Sequence, residues 1–328
     1  MSKRVLFVDP CCPKPYTFSS IATEPMGGTE ATVARVASGL KANGHDVRVM
    51  QHNRTTVDGI FEPFSTLTDW EPHSVVVLRV PSVLREARVR FPLAKTFLWA
   101  HDLFGGDGPQ LNAWFQIIKD TDSSVVVVSD FHRLNMTEAM RSVGQSGIRS
   151  VRIYNPVVPG IPVSDTVDLN KVCFFSSPHK GFDLTLKCFA QFQNFPDLKD
   201  VKLHVCNPGY YPNASTDNGM VVNHGALPHP KVMEVVADSL CVLHLNNVFP
   251  ETFGIVHGEA NALRVPVLTS RMGANLEVLD HPQELIDVTD FKAVIERVRA
   301  WKSHGRPKVR ANAAFFISKI FKEWEAIL

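Results

Sequence analysis

Short apolar runs rich in β-branched residues recur along the whole chain, and most of them are continuous rather than alternating. RVLFVD (4–9), DVRVMQ (46–51), SVVVLRV (74–80), KTFLWAHD (95–102), SSVVVVSD (123–130) and SVRIYNP (150–156) occupy the first half. KVCFFSSP (171–178), VKLHVCNP (201–208), MVVNHGAL (220–227), LCVLHLN (240–246), VPVLTS (265–270) and ELIDVTD (284–290) occupy the second. A strand that is apolar on both faces must be covered on both, which is the condition of parallel strands in an α/β sheet. The stretches between the runs carry helical spacing. TEATVARVASGLKANG (29–44) opens on Thr29 as a candidate N-cap, sets Val33, Val36, Ala37 and Leu40 on one face and closes at Gly44. FDLTLKCFAQF (182–192), HPKVMEVVADS (229–239) and DFKAVIERVRAW (290–301) read the same way. Six runs, a Pro- and Gly-rich break at NPVVPGIPVSDT (155–166) and six more runs predict two Rossmann-like, doubly wound parallel sheets facing across a cleft. The expected domains are 1–157 and 158–308, followed by a C-terminal helix over 309–328.

Composition narrows the function classes. The 328 residues are 45% hydrophobic and 20% charged, with a net charge of +1. Up to Val157 there are 17 basic and 15 acidic residues, and after it 17 and 18, so neither half is a polycation and bulk charge does not point to nucleic acid. The local cluster VLREARVRF (83–91) reads either as a solvated helix face or as a contact for a membrane surface. None of the six cysteines forms a Cys-x-x-Cys pair, and Cys206 and Cys241 sit inside apolar runs, so a reducing compartment without a disulfide framework is expected. The start, MSKRVLFVDP, passes straight into a strand, and no apolar run approaches the length of a membrane span. A cytoplasmic location is the expectation, with a membrane surface as the place the arginine cluster permits.

Open parallel sheets bind ligands beyond the carboxyl ends of their strands. The candidate residues all follow strands. Gly27-Gly28 opens a helix after the first strand, as a phosphate or sugar cradle or as a plain turn. It is not the Gly-x-Gly-x-x-Gly dinucleotide fingerprint, which counts against a nicotinamide-dependent dehydrogenase. His101-Asp102 ends the fourth run, and His101 is either a substrate ligand or a histidine satisfied by the fold. Lys180-Gly181 stands at a helix start, where a point charge beside backbone N–H groups suits a diphosphate, although a surface lysine is the plainer reading. FPETFGIVHGEA (249–260) carries Glu251 in a loop and Glu259 inside the helix expected from about Gly254 to Ala262. The N–H groups of Phe253, Gly254 and Ile255 open that helix, Glu251 can accept from sugar hydroxyls, and Glu259 can accept both hydroxyls of a ribose. Asp120-Thr121-Asp122 fits a metal-carboxylate pattern but precedes its strand, so no metal is assigned to it.

In combination, Glu251-x7-Glu259, the ANALRVPVLTSRMGANLEVL stretch (260–279), Gly27-Gly28, His101, Asn155-Pro156, Lys180-Gly181 and HGALPHPKVMEVVADSLCVLHLN (224–246) resemble the retaining glycosyltransferases of family four, which have the GT-B fold. The resemblance covers nearly the whole chain. It implies a metal-independent transferase that moves a hexose from a nucleoside diphosphate sugar to an acceptor hydroxyl with retention. It implies that Glu251, with the backbone at Phe253 to Ile255, contacts the hexose, and that Glu259 holds the ribose. Lys180 would neutralise the diphosphate, His101 would lie on the sugar, and Gly27-Gly28 would approach the donor. The C-terminal helix would cross back to the first domain. The family often carries an arginine five or six residues before the lysine; CFFSSPH (173–179) has none, so Ser176, Ser177 and backbone donors are expected to share the diphosphate. A non-catalytic nucleotide-sugar or glycan-binding protein of the same fold is the rival. No cofactor beyond the donor and no nucleic acid partner is expected, with the acceptor a glycan, lipid or protein, and the protein a monomer or homodimer.

Overall fold

The computed structural model describes residues 2–64, 70–158, 163–207, 219–279 and 281–328. Positions 159–162 of the predicted linker and Pro208 at the end of VKLHVCNP lie outside the described residues. Contacts divide the chain into two compact units: residues 1–18, 29–156 and 317–328 form the first, and 19–28 and 157–316 the second.

The first unit is built on seven parallel strands: β1 (Arg4–Asp9), β2 (Asp46–Gln51), β3 (Phe61–Pro63), β4 (Ser74–Leu78), β5 (Lys95–Trp99), β6 (Ser124–Val127) and β7 (Ser150–Arg152). Their order is β3-β2-β1-β4-β5-β6-β7. All five residues of β4 are buried, and all of β1 but Arg4, as two-sided cover requires. β3 is the strand that the apolar runs did not reveal. It is a three-residue edge strand ending in proline, too short to show a period. The helix Gly28–Ala42 buries Val33, Val36, Ala37 and Leu40 completely, but it begins one residue before Thr29, which sits in its first turn instead of capping it.

The C-terminal helix covers Ile317–Ile327, shorter than the expected 309–328. It belongs to the first unit. Its Trp324 is fully buried and meets Trp99 edge to face at 4.7 Å and Phe7 at 6.0 Å. Gly39 leaves room for it, since a Cβ there would fall 1.8 Å from Phe321 Cζ. Ser74 Oγ and Lys95 Nζ donate to the Leu328 carbonyl, at 3.1 and 3.3 Å, and fasten the helix end. Arg88 of the 83–91 cluster serves the fold: it donates to the carbonyls of Thr121, Pro92 and Ala94 and to Thr96. Arg85 and Arg90 remain exposed.

The second unit has five parallel strands, β8 (Asp168–Phe174), β9 (Lys202–Asn207), β10 (Val221–Ala226), β11 (Ser239–His244) and β12 (Val267–Thr269), in the order β10-β9-β8-β11-β12. The expected strand at 284–290 is not one. Pro282–Glu284 forms a 3-10 turn, and only Leu285 bridges, to Thr269. The buried Glu284 carboxylate accepts from Val267 N–H at 2.9 Å and Asn261 Nδ2 at 2.8 Å, so a side chain stands where a strand ladder would have paired. The short helix Ser20–Thr23, from early in the chain, packs on the helix His229–Ala237 and joins this unit. Residues up to Phe316 do too: Val157 N–H donates to the Phe315 carbonyl at 2.7 Å, and the Phe315 ring meets Phe253 edge to face at 5.1 Å. Among the described residues no helix is long and apolar enough to cross a membrane. All six cysteines are free.

Two outcomes follow from this packing. Trp324→Ala should cost about 3–5 kcal/mol in urea unfolding of the first unit, the range for truncating a buried aromatic; a loss below 1 kcal/mol would show the helix to be peripheral. Burial also lowers the pKa of His101 to about 3 and of His132 and His257 to about 4. Each folded value lies below the unfolded value near 6.5, so the unfolded chain takes up more protons as pH falls. These histidines contribute a drop in stability that begins below about pH 6.5 and runs to about pH 3, by about 2 kcal/mol per histidine near pH 5. Melting curves at stepped pH measure the drop.

Candidate functional site

In the second sheet the strand order reverses between β8 and β11, so the loops leaving these two neighbours part and open a crevice at their carboxyl ends. The loop after β8 carries Ser176, Ser177, Lys180 and Gly181. Both serines are buried, and the Ser177 carbonyl accepts from Lys180 N–H at 2.9 Å. Gly181 caps the helix Phe182–Ala190 in the left-handed region, at φ 89°. A Cβ on it would fall 2.3 Å from the Leu245 carbonyl oxygen, so only glycine lets this loop lie against the backbone leaving β11.

That approach brings Lys180 to Glu251. The Nζ lies 2.8 Å from Oε2; the lysine side chain is 32% exposed and the glutamate 7%. The second glutamate oxygen, Oε1, is buried without a hydrogen-bond partner among the described residues. A buried carboxylate oxygen in that state is an acceptor waiting for a ligand hydroxyl. The Glu251 backbone is held from the other side. Its carbonyl accepts from Ala274 N–H at 2.9 Å, and Gly273, at φ 69°, lies where a Cβ would fall 2.6 Å from Glu251 N.

Glu259 stands on the helix Ile255–Ala262, which Gly254 opens in the left-handed region at φ 80°. Phe253 is buried against Phe315 and seats the turn. Gly258 lets the helix lie tight on the chain, since a Cβ would fall 2.7 Å from Val157 Cγ2. The Glu259 side chain is buried, and its Oε1 lies 2.7 Å from His229 Nε2. Gly28 reaches the same helix start: a Cβ on it would fall 3.1 Å from Ile255 Cγ2. The second unit thus brings Gly28 to Ile255 at the start of this helix and Lys180 to Glu251 just ahead of it, while Glu259 lies one turn further along with His229. The positive end of that helix and Lys180 make the crevice suited to an anion, and Glu251 supplies a hydroxyl acceptor beside it.

His101 belongs to the first unit and follows β5 there. It is 8% exposed, its ring lies 4.9 Å from that of Trp99, and burial keeps it neutral at physiological pH. The neighbouring Asp102 pairs with Arg79 at 2.6 Å, and its carbonyl accepts from His132 Nε2 at 2.8 Å. Asp9, at the end of β1, accepts from the Tyr16 hydroxyl at 2.7 Å. The Asp120–Asp122 pair precedes β6; Asp122 is paired with Arg149 at 2.9 Å, and Asp120 accepts from Gln116 at 2.6 Å. Among the described residues no group of three or more His, Cys, Asp or Glu side chains is placed to hold a metal ion.

Two features of the crevice were not read from the sequence. His229 is the first residue of the helix following β10, and the rule that drew attention to other strand ends would have found it. His257, inside the Glu251–Glu259 motif, is fully buried, and its Nε2 lies 2.9 Å from His244 Nδ1. Nothing local marks a histidine that pairs with one on a neighbouring strand.

Residues 176–314 match the family described as glycosyl transferases group 1. No curated protein matches the chain in sequence. Solved structures match it in fold. Sucrose-phosphate synthase from Thermosynechococcus elongatus aligns over 99% of this chain and 98% of its own, with a TM-score of 0.71 and 15% identity. HepE from Anabaena, in complex with UDP-glucose, aligns over 99% of both chains with a TM-score of 0.66 and 17% identity. The pneumococcal O-GlcNAc transferase GtfA, in complex with UDP and GlcNAc, covers 78% of this chain and 57% of its own, with a TM-score of 0.62 and 12% identity. The two parallel-sheet α/β units are those of the GT-B fold, and the residues that match glycosyl transferases group 1 lie in the second.

Proposed function

We propose that the protein is a retaining, family-four type glycosyltransferase that moves a hexose from a nucleoside diphosphate sugar to an acceptor hydroxyl. The observation that carries this reading is the Lys180–Glu251 contact at the strand-order reversal, with one Glu251 oxygen buried and unpartnered. A donor satisfies both groups at once. Its diphosphate takes Lys180 and the N–H groups at the start of the Ile255–Ala262 helix, and its hexose hydroxyls donate to Glu251. Glu259 accepts from the ribose. Ser176, Ser177 and Gly27-Gly28 flank the diphosphate, taking the place of the arginine that this chain lacks. His101, neutral, is assigned a hydrogen bond to the donor sugar.

In the reaction, the bond from the anomeric carbon to the leaving phosphate oxygen breaks. The acceptor oxygen bonds to the same carbon on the same face, and its proton passes to that phosphate oxygen. Lys180 and the helix terminus stabilise the charge that grows there, the task a divalent cation performs elsewhere, so no metal is assigned to the site. The complexes of HepE with UDP-glucose and of GtfA with UDP and GlcNAc make UDP-sugars the first donors to try. The free cysteines support a reducing, cytoplasmic setting. The exposed Arg85 and Arg90 support an acceptor at a membrane surface as one of the acceptor classes to test.

A thermal-shift screen of UDP-, GDP- and ADP-sugars tests donor binding, since a ligand of the folded state raises apparent stability with concentration. Hydrolysis of the binding donor tests catalysis; binding without any turnover, in every acceptor tried, would favour the non-catalytic rival. Lys180→Ala should lower turnover about 100-fold or more, the scale for removing one positioned electrostatic group, while EDTA leaves the wild type unchanged. Near-normal turnover in that variant would remove Lys180 from the mechanism. Glu259→Ala should weaken nucleoside diphosphate binding about 10- to 100-fold by calorimetry, and unchanged affinity would refute the ribose assignment.

A further inference from the structure

We infer that His229 is a positioning residue that presets the Glu259 carboxylate for the donor's ribose, and that it makes the site selective for ribose over deoxyribose. This inference rests on the donor reading above. Glu259 is 5% exposed, so water does little to orient it, and a buried carboxylate needs a donor in the protein. His229 supplies one, with Nε2 2.7 Å from Oε1, the length of a strong hydrogen bond to a carboxylate.

The imidazole is itself well anchored. His229 lies between Pro228 and Pro230, whose rings restrict the backbone, and the Pro228 carbonyl accepts from Lys231 and Val232 N–H at 2.9 and 3.1 Å. The helix it begins is packed against Ser20–Thr23. The His229 side chain is 22% exposed and the Glu259 side chain 6%, which puts the imidazole on the solvent side of the pair. A carboxylate is free to turn about its last bond; a donor fixed on one oxygen sets its plane before ligand arrives. A vicinal diol can then donate to both oxygens, each of which has a second lone pair, without ordering the carboxylate on binding. Loss of one ribose hydroxyl removes one of the two hydrogen bonds that the preset carboxylate is oriented to accept, and sites that read a hydroxyl in this way reject the analogue lacking it.

The experiment is calorimetric titration of the full chain with UDP and GDP and with their 2′-deoxy and 3′-deoxy counterparts. In the wild type the ribonucleotide should bind about 10- to 100-fold tighter than a deoxy counterpart. H229A should lose about tenfold in ribonucleotide affinity and bring that preference to about threefold or less, while deoxynucleotide binding changes little. H229Q, whose amide can donate to Oε1, should keep most of the preference, which a purely structural role would not predict. H229L replaces the alanine variant if that one does not fold. Wild-type preference retained in a variant without a donor overturns the role of His229 and leaves the donor reading standing. A wild-type chain that binds none of these nucleotides overturns the donor reading and this inference with it.

Discussion

A carboxylate withdrawn from water has to be matched, and in the second unit the Glu251–Lys180 pair meets that demand across 71 positions of sequence. The two residues leave neighbouring strands, β8 and β11, at the point where the sheet's order turns around. The approach of the two loops is a matter of backbone contact: Gly181 lies on Leu245 and Asn246, and Gly273 lies on Glu251. The ion pair therefore sits on a rigid scaffold. The pairing offsets part of the cost of desolvating Glu251 and leaves one lysine face and one carboxylate oxygen for a ligand.

Under the proposed function this pairing couples the two ends of the donor. A diphosphate that draws Lys180 toward itself deprives Glu251 of its partner, and the hexose hydroxyls replace it. A nucleotide without its sugar would leave the glutamate poorly matched. The same logic of matched burial applies to Glu259 with His229 and to Glu284 with Asn261 and the Val267 N–H. Only the first two pairs stand beside the crevice, and Glu284 serves to hold the sheet edge.

Much of this was legible in the sequence because parallel strands buried on both faces leave continuous apolar runs, and eleven of the twelve such runs overlap strands. The choice of candidate residues after strands rests on the same reason: the fold class fixes where its crevice lies. Lys180 and Glu251, which meet in the structure, both follow strands as that rule requires. What escaped had no local signal. β3 is three residues long and ends in Pro63. ELIDVTD has the composition of a strand, but Pro282 and the buried Glu284 turn its start into a 3-10 segment. The assignment of residues 19–28 to the second unit depends on a four-residue helix lying on a partner some two hundred positions away, which periodicity cannot register. His257 and His244 find each other across a helix and a strand, a tertiary fact throughout.

The left-handed glycines at 181, 254 and 273 have a practical bearing on laboratory evolution of this chain. Each has its missing side-chain position filled by a neighbour, at distances of 2.3 to 2.7 Å. Random libraries that include those codons will mostly yield dead clones, whatever substrate is screened. Diversity is better spent on the solvent-facing Val248, Phe249 and Leu276, which flank the same loops and are 60%, 47% and 57% exposed. There the rim can be rewritten while the framework beneath it keeps its shape.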